Sequence, residues 1–424
     1  MNNPMTVTKP KEVDIGETLE YMKRRAPKRY KVLQAMMQGK HDREIAEHFK
    51  IDQAVVRTHI SLICKDFGIQ GKRRAKRTEL MSKLSGHNYI DVKDFIVKRQ
   101  PIESKLKDIL ERTGSIAVVE SSQKMGKTTL IHQVLESINC DNYEVIQLNV
   151  KLLLNPDYET FLRSFCSIVG KHLNLENRLD EYWSDGIAPN YNVTDYFEKY
   201  LLGEIEKPII LILDNIEQVF HESDFMGNFE WKTDFCWLIR GWYDSSQSKI
   251  DDNNPWRRFR LVLANCTDVY AGLDINASPL AAIGEVIEIP EFSPKEIEKL
   301  AKSYNLKWQP EQVAVFMELV GGHPYLVKTL LDYISSEDLD FLEMEQPQQL
   351  EKLGSIFNNH LSQYRNLFQE FPAVKKAYSQ VISANKPKEI SDAKVEFKLN
   401  CLGLIKRQGK GWVCPCELYN YYFS

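Results

Sequence analysis

No stretch of this 424-residue chain approaches the run of roughly 18 apolar residues that a membrane-crossing helix needs, and no apolar leader precedes a cleavage site. A spanning or exported protein is therefore not expected; a cytoplasmic one is. The eight cysteines, at 64, 140, 166, 236, 266, 401, 414 and 416, contain no C-x-x-C pair, so neither a disulfide framework nor a zinc site is expected. Cys414 and Cys416 are the one close pair, and two ligands do not complete a tetrahedral site. What remains is an ordinary globular composition, 43% hydrophobic and 27% charged, long enough for two to four domains with sizeable cores. The net charge of −4 is unevenly spread: residues 1–90 carry 19 Lys and Arg against 10 Asp and Glu, leaving 36 against 49 for the rest. A basic head on an acidic body is suited to meeting a polyanion.

A further shortage sits in the most informative stretch, Ser115 to Leu130, which reads S-I-A-V-V-E-S-S-Q-K-M-G-K-T-T-L. Apolar Ile116 to Val119 predict a buried strand, and the periodic residues from Lys127 onward predict a helix. Between them Gly126-Lys127-Thr128 match the end of G-x-x-x-x-G-K-[ST], the loop whose N–H groups cradle phosphates while its lysine reaches the outer phosphates and its hydroxyl holds Mg²⁺. The first glycine is missing. Ser121 stands there, and the backbone at that position must do without glycine's freedom at positive φ. Ser122, Gln123, Lys124, Met125, Gly126, Lys127, Thr128 and Thr129 are thus candidate ATP-binding residues.

Three apolar stripes precede this loop. Val32, Leu33, Met36 and Met37 form the first, Ile45, Ala46 and Phe49 the second, and Val55, Val56, Ile60 and Ile63 the third. The last two, joined at Lys50-Ile51-Asp52 with Asp52 able to cap the third helix, fit a helix-turn-helix. Downstream, Val145 to Val150 predict a second strand. The strongest apolar run, Ile209 to Leu213, ends in Asp214, the pattern in which a carboxylate leaves the sheet edge towards Mg²⁺. Leu261 to Ala264 predict another strand, ending in Asn265, a candidate to sense the terminal phosphate or place the attacking water. Alternating strands and helices imply a parallel sheet flanked by helices. Ser293, Pro294 and Glu296 predict a capped helix start, and Gly321-Gly322-His323-Pro324 a helix break. Residues 351–380 read as one amphipathic helix. A helix, Gly403, and two short strands around Gln408-Gly409-Lys410-Gly411 then outline a winged helix.

The segment that begins near Arg29 resembles the LuxR-type (GerE-like) DNA-binding domain over about 55 residues, on Q-G-K at 38–40, R-E-I-A-E at 43–47, V-V-R-T-H-I at 55–60 and F-G-I at 67–69. The resemblance implies that the third helix enters the major groove, with Arg57 and His59 facing DNA and Gln53 near the helix start. Ala54 and Val55 stand where that family more often has lysine and threonine. The run Lys72, Arg73, Arg74, Lys76 and Arg77 is either a phosphate contact or a solvated linker face. Helix-turn-helix folds also bind proteins, which leaves that alternative open.

Residues 90–424 resemble the AAA-like domain of bacterial signal-transduction ATPases of the STAND type, on Q-K-M-G-K-T-T-L at 123–130, R-L-D-E-Y-W at 178–183, G-G-H-P-Y-L at 321–326 and C-E-L-Y-N-Y-Y-F at 416–423. The resemblance implies a nucleotide held between the phosphate loop and a helical lid, with His323 and Pro324 touching base or phosphate, and Thr128 and Asp214 as metal ligands. One departure concerns catalysis: Asn215 stands where that family usually has the glutamate that orients water. Glu217 could substitute if the backbone turns it inward. The expected organisation is a helix-turn-helix domain at 1–88, a P-loop ATPase core at 89–290, a helical lid at 291–350 and a winged helix at 351–424. The expected activity is that of an ATP- and Mg²⁺-using, slowly hydrolysing regulator on DNA that oligomerises with ATP. Its rivals are a DNA-associated ATPase that recruits mobile-element or defence machinery, and a signalling scaffold whose helix-turn-helix binds a protein.

Overall fold

The computed structural model describes residues 18, 21–22, 25–37, 45–46, 49, 51–69, 80, 97–138, 140–220, 231–248, 253–267, 283–304, 306–337 and 353–424. Contacts divide the chain into two compact units: residues 1–97 with 298–308 and 331–338, and the remainder. Among the described residues no helix is long and apolar enough to cross a membrane.

In the first unit, helices α1 (Pro27–Met37) and α2 (Gln53–Asp66) close over a core of Val32, Leu33, Met36, Ile45, Val56, Ile60, Ile63 and Phe67. All three stripes therefore contribute to one interior, although Val55 of the third faces outward. Asp52 caps α2, its carboxylate accepting from Ala54 N–H at 2.6 Å, and Arg29 of α1 pairs with Asp66 of α2 at 2.7 Å. Lys72, Arg73, Arg74, Lys76 and Arg77 lie outside the described residues.

The second unit is built on a five-stranded sheet in the order β2-β3-β4-β1-β5, every pairing parallel. The strands are β1 (Ile116–Ser121), β2 (Glu144–Asn149), β3 (Ile209–Asp214), β4 (Phe259–Cys266) and β5 (Glu285–Glu288). Helices α3 (Gln100–Glu111), α4 (Lys127–Ser137), α5 (Tyr158–His172), α6 (Pro189–Tyr196) and α7 (Lys232–Gln247) cover the two faces. Apolar runs without alternation are what a sheet buried on both sides demands. Successive residues go to opposite cores: Leu211, Leu213, Leu261 and Leu263 join a cluster rich in aromatics, while Ile210, Ile212, Val262 and Ala264 pack with Leu106, Leu130 and Val134 of α3 and α4. The aromatic side is large because Phe161 and Phe165 of α5 and Trp242 of α7 meet Phe197, just after α6, and Trp256 of the short turn Pro255–Arg258, with Phe197 and Trp242 centred 4.7 Å apart.

Beyond the sheet come α8 (Pro294–Ser303), α9 (Pro310–Val320) and α10 (Pro324–Glu337). At the start of α8, Ser293 Oγ donates to Glu296 Oε2 at 2.6 Å and Glu296 N–H returns to Ser293 Oγ. The amphipathic stretch expected as one helix across 351–380 is instead broken, with a short helical segment at 353–356 followed by α11 (Asn358–Glu370) and α12 (Pro372–Ile382). Pro372 has no N–H to give the preceding turn and forces Phe371 out of helical geometry, to φ −120° and ψ 78°. Helix α13 (Ala393–Cys401), strands β6 (Lys406–Gln408) and β7 (Gly411–Val413) in an antiparallel hairpin, and α14 (Glu417–Phe423) complete the chain.

Candidate nucleotide-binding site

Ligand sites in open parallel sheets lie beyond the carboxyl ends of the strands, and the ends of β1, β3 and β4 converge there. The loop between β1 and α4 begins at Ser122. Ser121 still belongs to β1, paired with Cys266, and has ordinary strand geometry. The left-handed turns fall at Lys124 (φ 60°) and Gly126 (φ 94°), so the missing glycine is not needed at position 121. Gly126 directly precedes α4, and the loop's N–H groups and the helix start form a concavity suited to anions.

Lys127 is buried at this point. Its Nζ donates to the carbonyls of Ser121 (3.1 Å) and Ser122 (3.0 Å) and touches Ser121 Oγ and Cys266 Sγ. Those weak neutral acceptors are replaceable by a phosphate, which would give the ammonium a charged partner. Thr128 Oγ1 donates to Asp214 Oδ2 at 2.9 Å, so the hydroxyl and the carboxylate that the motifs name separately share one edge of the sheet. Thr129 faces solvent beside them.

Asn215 takes the left-handed conformation (φ 60°), which asparagine tolerates better than most residues. Its side-chain N–H reaches across to Asn149 Oδ1 at 3.2 Å. That turn starts a short helical segment, Ile216–Val219, which carries Glu217 inward. Glu217 is 4% exposed, and its Oε2 accepts the Cys266 N–H at 3.3 Å. The carboxylate thus sits against the end of β4 next to Asn265. Asn265 is itself buried, and its Oδ1 has no hydrogen-bond partner among the described residues. A buried acceptor left unpaired is costly, and one at the mouth of a phosphate loop fits a site completed by ligand, metal or water.

His323, at the break between α9 and α10, donates from Nε2 to the Gln123 carbonyl in the loop at 3.1 Å. Pro324 opens α10, and Lys124 lies over the Tyr325 ring, 4.2 Å from its centre. Burial pushes the His323 imidazole down to about 4, so it is neutral at neutral pH. Behind it His360, 5.4 Å away ring to ring, shares a 2.6 Å hydrogen bond with Tyr419 OH, and burial pushes it down to about 3. Gly322 is obligatory here, because a Cβ would stand 2.4 Å from the Phe292 carbonyl oxygen. Ahead of α3, Arg99 is buried with its guanidinium over Phe292 at 4.4 Å and 3.6 Å from Glu296 Oε1.

Sequence reasoning missed the contribution of the C-terminal segment. Gly403 (φ 70°) follows α13 so closely on the loop that a Cβ there would come within 3.1 Å of Ser122 Oγ, and Thr267 Oγ1 donates to the Cys401 carbonyl at 2.7 Å. It also missed Cys266 and His360; no local pattern marks either. Met125 is buried beneath the loop in the α3–α4 core, a packing role in addition to its place in the motif.

On the first unit, Arg57 and Gln53 stand together on the exposed side of α2, Arg57 Nη2 donating to Gln53 Oε1 at 3.3 Å. His59 turns towards the core boundary instead, half-buried, with burial and nearby Arg29 and Lys28 lowering its pKa.

The sheet order, the phosphate loop and the aspartate at the end of β3 are those of P-loop ATPases, and comparison with known proteins agrees. The AAA-like domain family matches residues 85–424. A Walker-type ATPase of Pyrococcus abyssi superposes with a TM-score of 0.52 at 14% identity, over 77% of this chain and 96% of that one. A signal-transduction ATPase with numerous domains (STAND), carrying a tetratricopeptide-repeat sensor, from Pyrococcus horikoshii gives 0.35 at 16%, over 77% of this chain and 42% of that one. Cdc6p from Pyrobaculum aerophilum gives 0.40 at 13%, over 79% and 96%. Comparison with curated proteins finds no match. With its phosphate loop, its strand order and four-fifths of its length in agreement, the chain belongs to the AAA-like domain family of P-loop ATPases.

Proposed function

We propose that this protein is an ATP-controlled switch that acts on DNA. The observation that carries the nucleotide half is the Thr128–Asp214 hydrogen bond beside buried Lys127: hydroxyl, carboxylate and ammonium converge where a triphosphate and its metal would lie. Thr128 and Asp214 would hold Mg²⁺, which when bound would supply charge neutralisation for the outer phosphates. Ser122 to Thr129 would wrap the phosphates, Asn265 would meet the terminal one, and Glu217 would orient water, with Asn215 setting its direction. His323 and Pro324 would register nucleotide through the Gln123 carbonyl. The test is thermal unfolding with and without ATP and Mg²⁺. ATP at 100 times its Kd should add about 2.7 kcal/mol to the wild type, Lys127→Ala should lose that gain, and EDTA should reduce it. A Lys127→Ala variant stabilised as well as the wild type would refute the site.

The DNA half rests on the basic N-terminal unit, read as a LuxR-like helix-turn-helix with Gln53, Arg57 and His59 on or beside the groove-facing helix. Lys72, Arg73 and Arg74 would add phosphate contacts. The output would be transcriptional, with ATP favouring a homo-oligomer, and the C-terminal segment would act as a winged-helix switch element in the cytoplasm. One observation favours a second reading, a scaffold whose helix-turn-helix binds a protein. Val55 and Leu62, seven residues apart on α2, are 43% and 36% exposed. An aliphatic stripe on a recognition helix suits a protein surface better than phosphates. Absence of duplex affinity at low salt would favour that reading.

A further inference from the structure

The acidic body of the protein carries a second basic region. Between residues 91 and 371 there are 27 Lys and Arg against 45 Asp and Glu, whereas residues 372–412 have nine against three. Part of that excess lines an open groove of about 680 Å³ bounded by Pro372, Lys375, Lys376, Ser379, Gln380, Ser383, Ala384 and Lys388. Seven of these lie on one side of α12 or just past its end, the side opposite the buried Val374, Tyr378 and Val381. Lys388 forms the other wall, on a short extended stretch paired with Trp412. The lining holds cations, hydroxyls and an amide, and no carboxylate. The neighbouring cations Lys406 and Arg407 are paired with Glu291 and Glu396; among the described residues Lys375, Lys376 and Lys388 have no such partner.

We infer that this groove is a binding site for the phosphate backbone of duplex DNA. Three unpaired ammonium groups around neutral donors recognise repeated anionic oxygens without reading sequence. From Lys375 to the cap residue Ser383 the helix rises about 12 Å, enough for about two to three successive phosphates of one strand. A protein partner fits poorly, because interfaces are depleted in lysine and centred on apolar or aromatic anchors, which the groove lacks. A membrane surface fits poorly as well: the apolar face of α12 is spent in the core, so none is left to enter lipid. Single strands need aromatic platforms for unstacked bases, and none lines the groove. This site lies in the second unit, and its binding is independent of the N-terminal helices.

The test uses the full-length chain and a labelled duplex of mixed sequence, with affinity followed by anisotropy over a range of KCl. Each lost phosphate contact lowers the log–log salt slope by about 0.9, so Lys375→Gln/Lys376→Gln/Lys388→Gln should lower it by about 2.7. The triple Lys→Arg variant should keep the wild-type slope, and both should bind ATP as the wild type does. Arg57→Gln, assayed alongside, reports on the N-terminal unit separately. An unchanged slope in the glutamine variant would overturn the groove site while leaving the N-terminal reading to stand or fall on Arg57. So would a variant that loses anionic vesicles or an acidic peptide but keeps the duplex. No duplex binding by the wild type at low salt would overturn both.

Discussion

Asn215 is the residue whose role changes most between sequence and structure. By the STAND-type resemblance it stands where a water-orienting glutamate is expected; by conformation it is a left-handed hinge that swings Glu217 to the end of β4. Two outcomes are expected. Glu217→Gln should lower phosphate release by about 10²- to 10⁴-fold while ATP affinity holds, because an amide cannot take a proton from water. Asn215→Glu should not raise turnover; it should destabilise the fold by about 1–3 kcal/mol, since glutamate is poorly suited to positive φ. Phosphate release and urea unfolding measure these. Fast hydrolysis that survives Glu217→Gln would remove that residue from the chemistry.

At the scale of elements, the break between α9 and α10 couples the phosphate loop to the C-terminal helix through His323, His360 and Tyr419. Both histidines are neutral when folded, at about 4 and about 3, against the usual 6.5 of an unfolded chain. Between pH 6.5 and 4 the unfolded chain therefore binds more protons, so stability is complete above 6.5 and falls as the solution is acidified. The slope approaches about 1.4 kcal/mol per pH unit for each histidine. Melting temperature followed from pH 7 to 4 should drop across that window, and His323→Gln should flatten the curve. The α13 corner makes a second prediction. Gly403→Val puts a β-branched residue at φ 70° and a Cβ 3.1 Å from Ser122 Oγ, so it should cost at least about 1–2 kcal/mol in urea unfolding. It should also weaken binding of a fluorescent ATP analogue, because Ser122 must move.

At the scale of the whole molecule, charge is segregated: basic at the N-terminal unit and at 372–412, acidic between. If the N-terminal unit holds a duplex, Arg57→Gln should reduce the salt slope by about 0.9 without changing ATP affinity, which anisotropy titrations check. Light scattering with ATP, with DNA and with both would show whether occupancy of one ligand changes the assembly on the other. A mass unchanged under all three conditions would remove oligomerisation from the switch.

The elements that a short sequence window can specify were legible in advance. The apolar run ending in Asp214, the Gly126-Lys127-Thr128 tripeptide and the Ser293 cap declare themselves because strand burial, phosphate-loop geometry and capping are set by residues a few positions apart. The single helix read across 351–380 failed at Pro372, where one missing N–H outweighs an amphipathic pattern. What only the tertiary structure decided depends on partners far apart in the chain. Glu217 meets Cys266 49 positions away, His323 meets Gln123 200 away, and Gly403 abuts Ser122 across most of the molecule. No periodicity encodes such pairs, because parallel strands joined by crossover helices bring their ends together only after the sheet has closed.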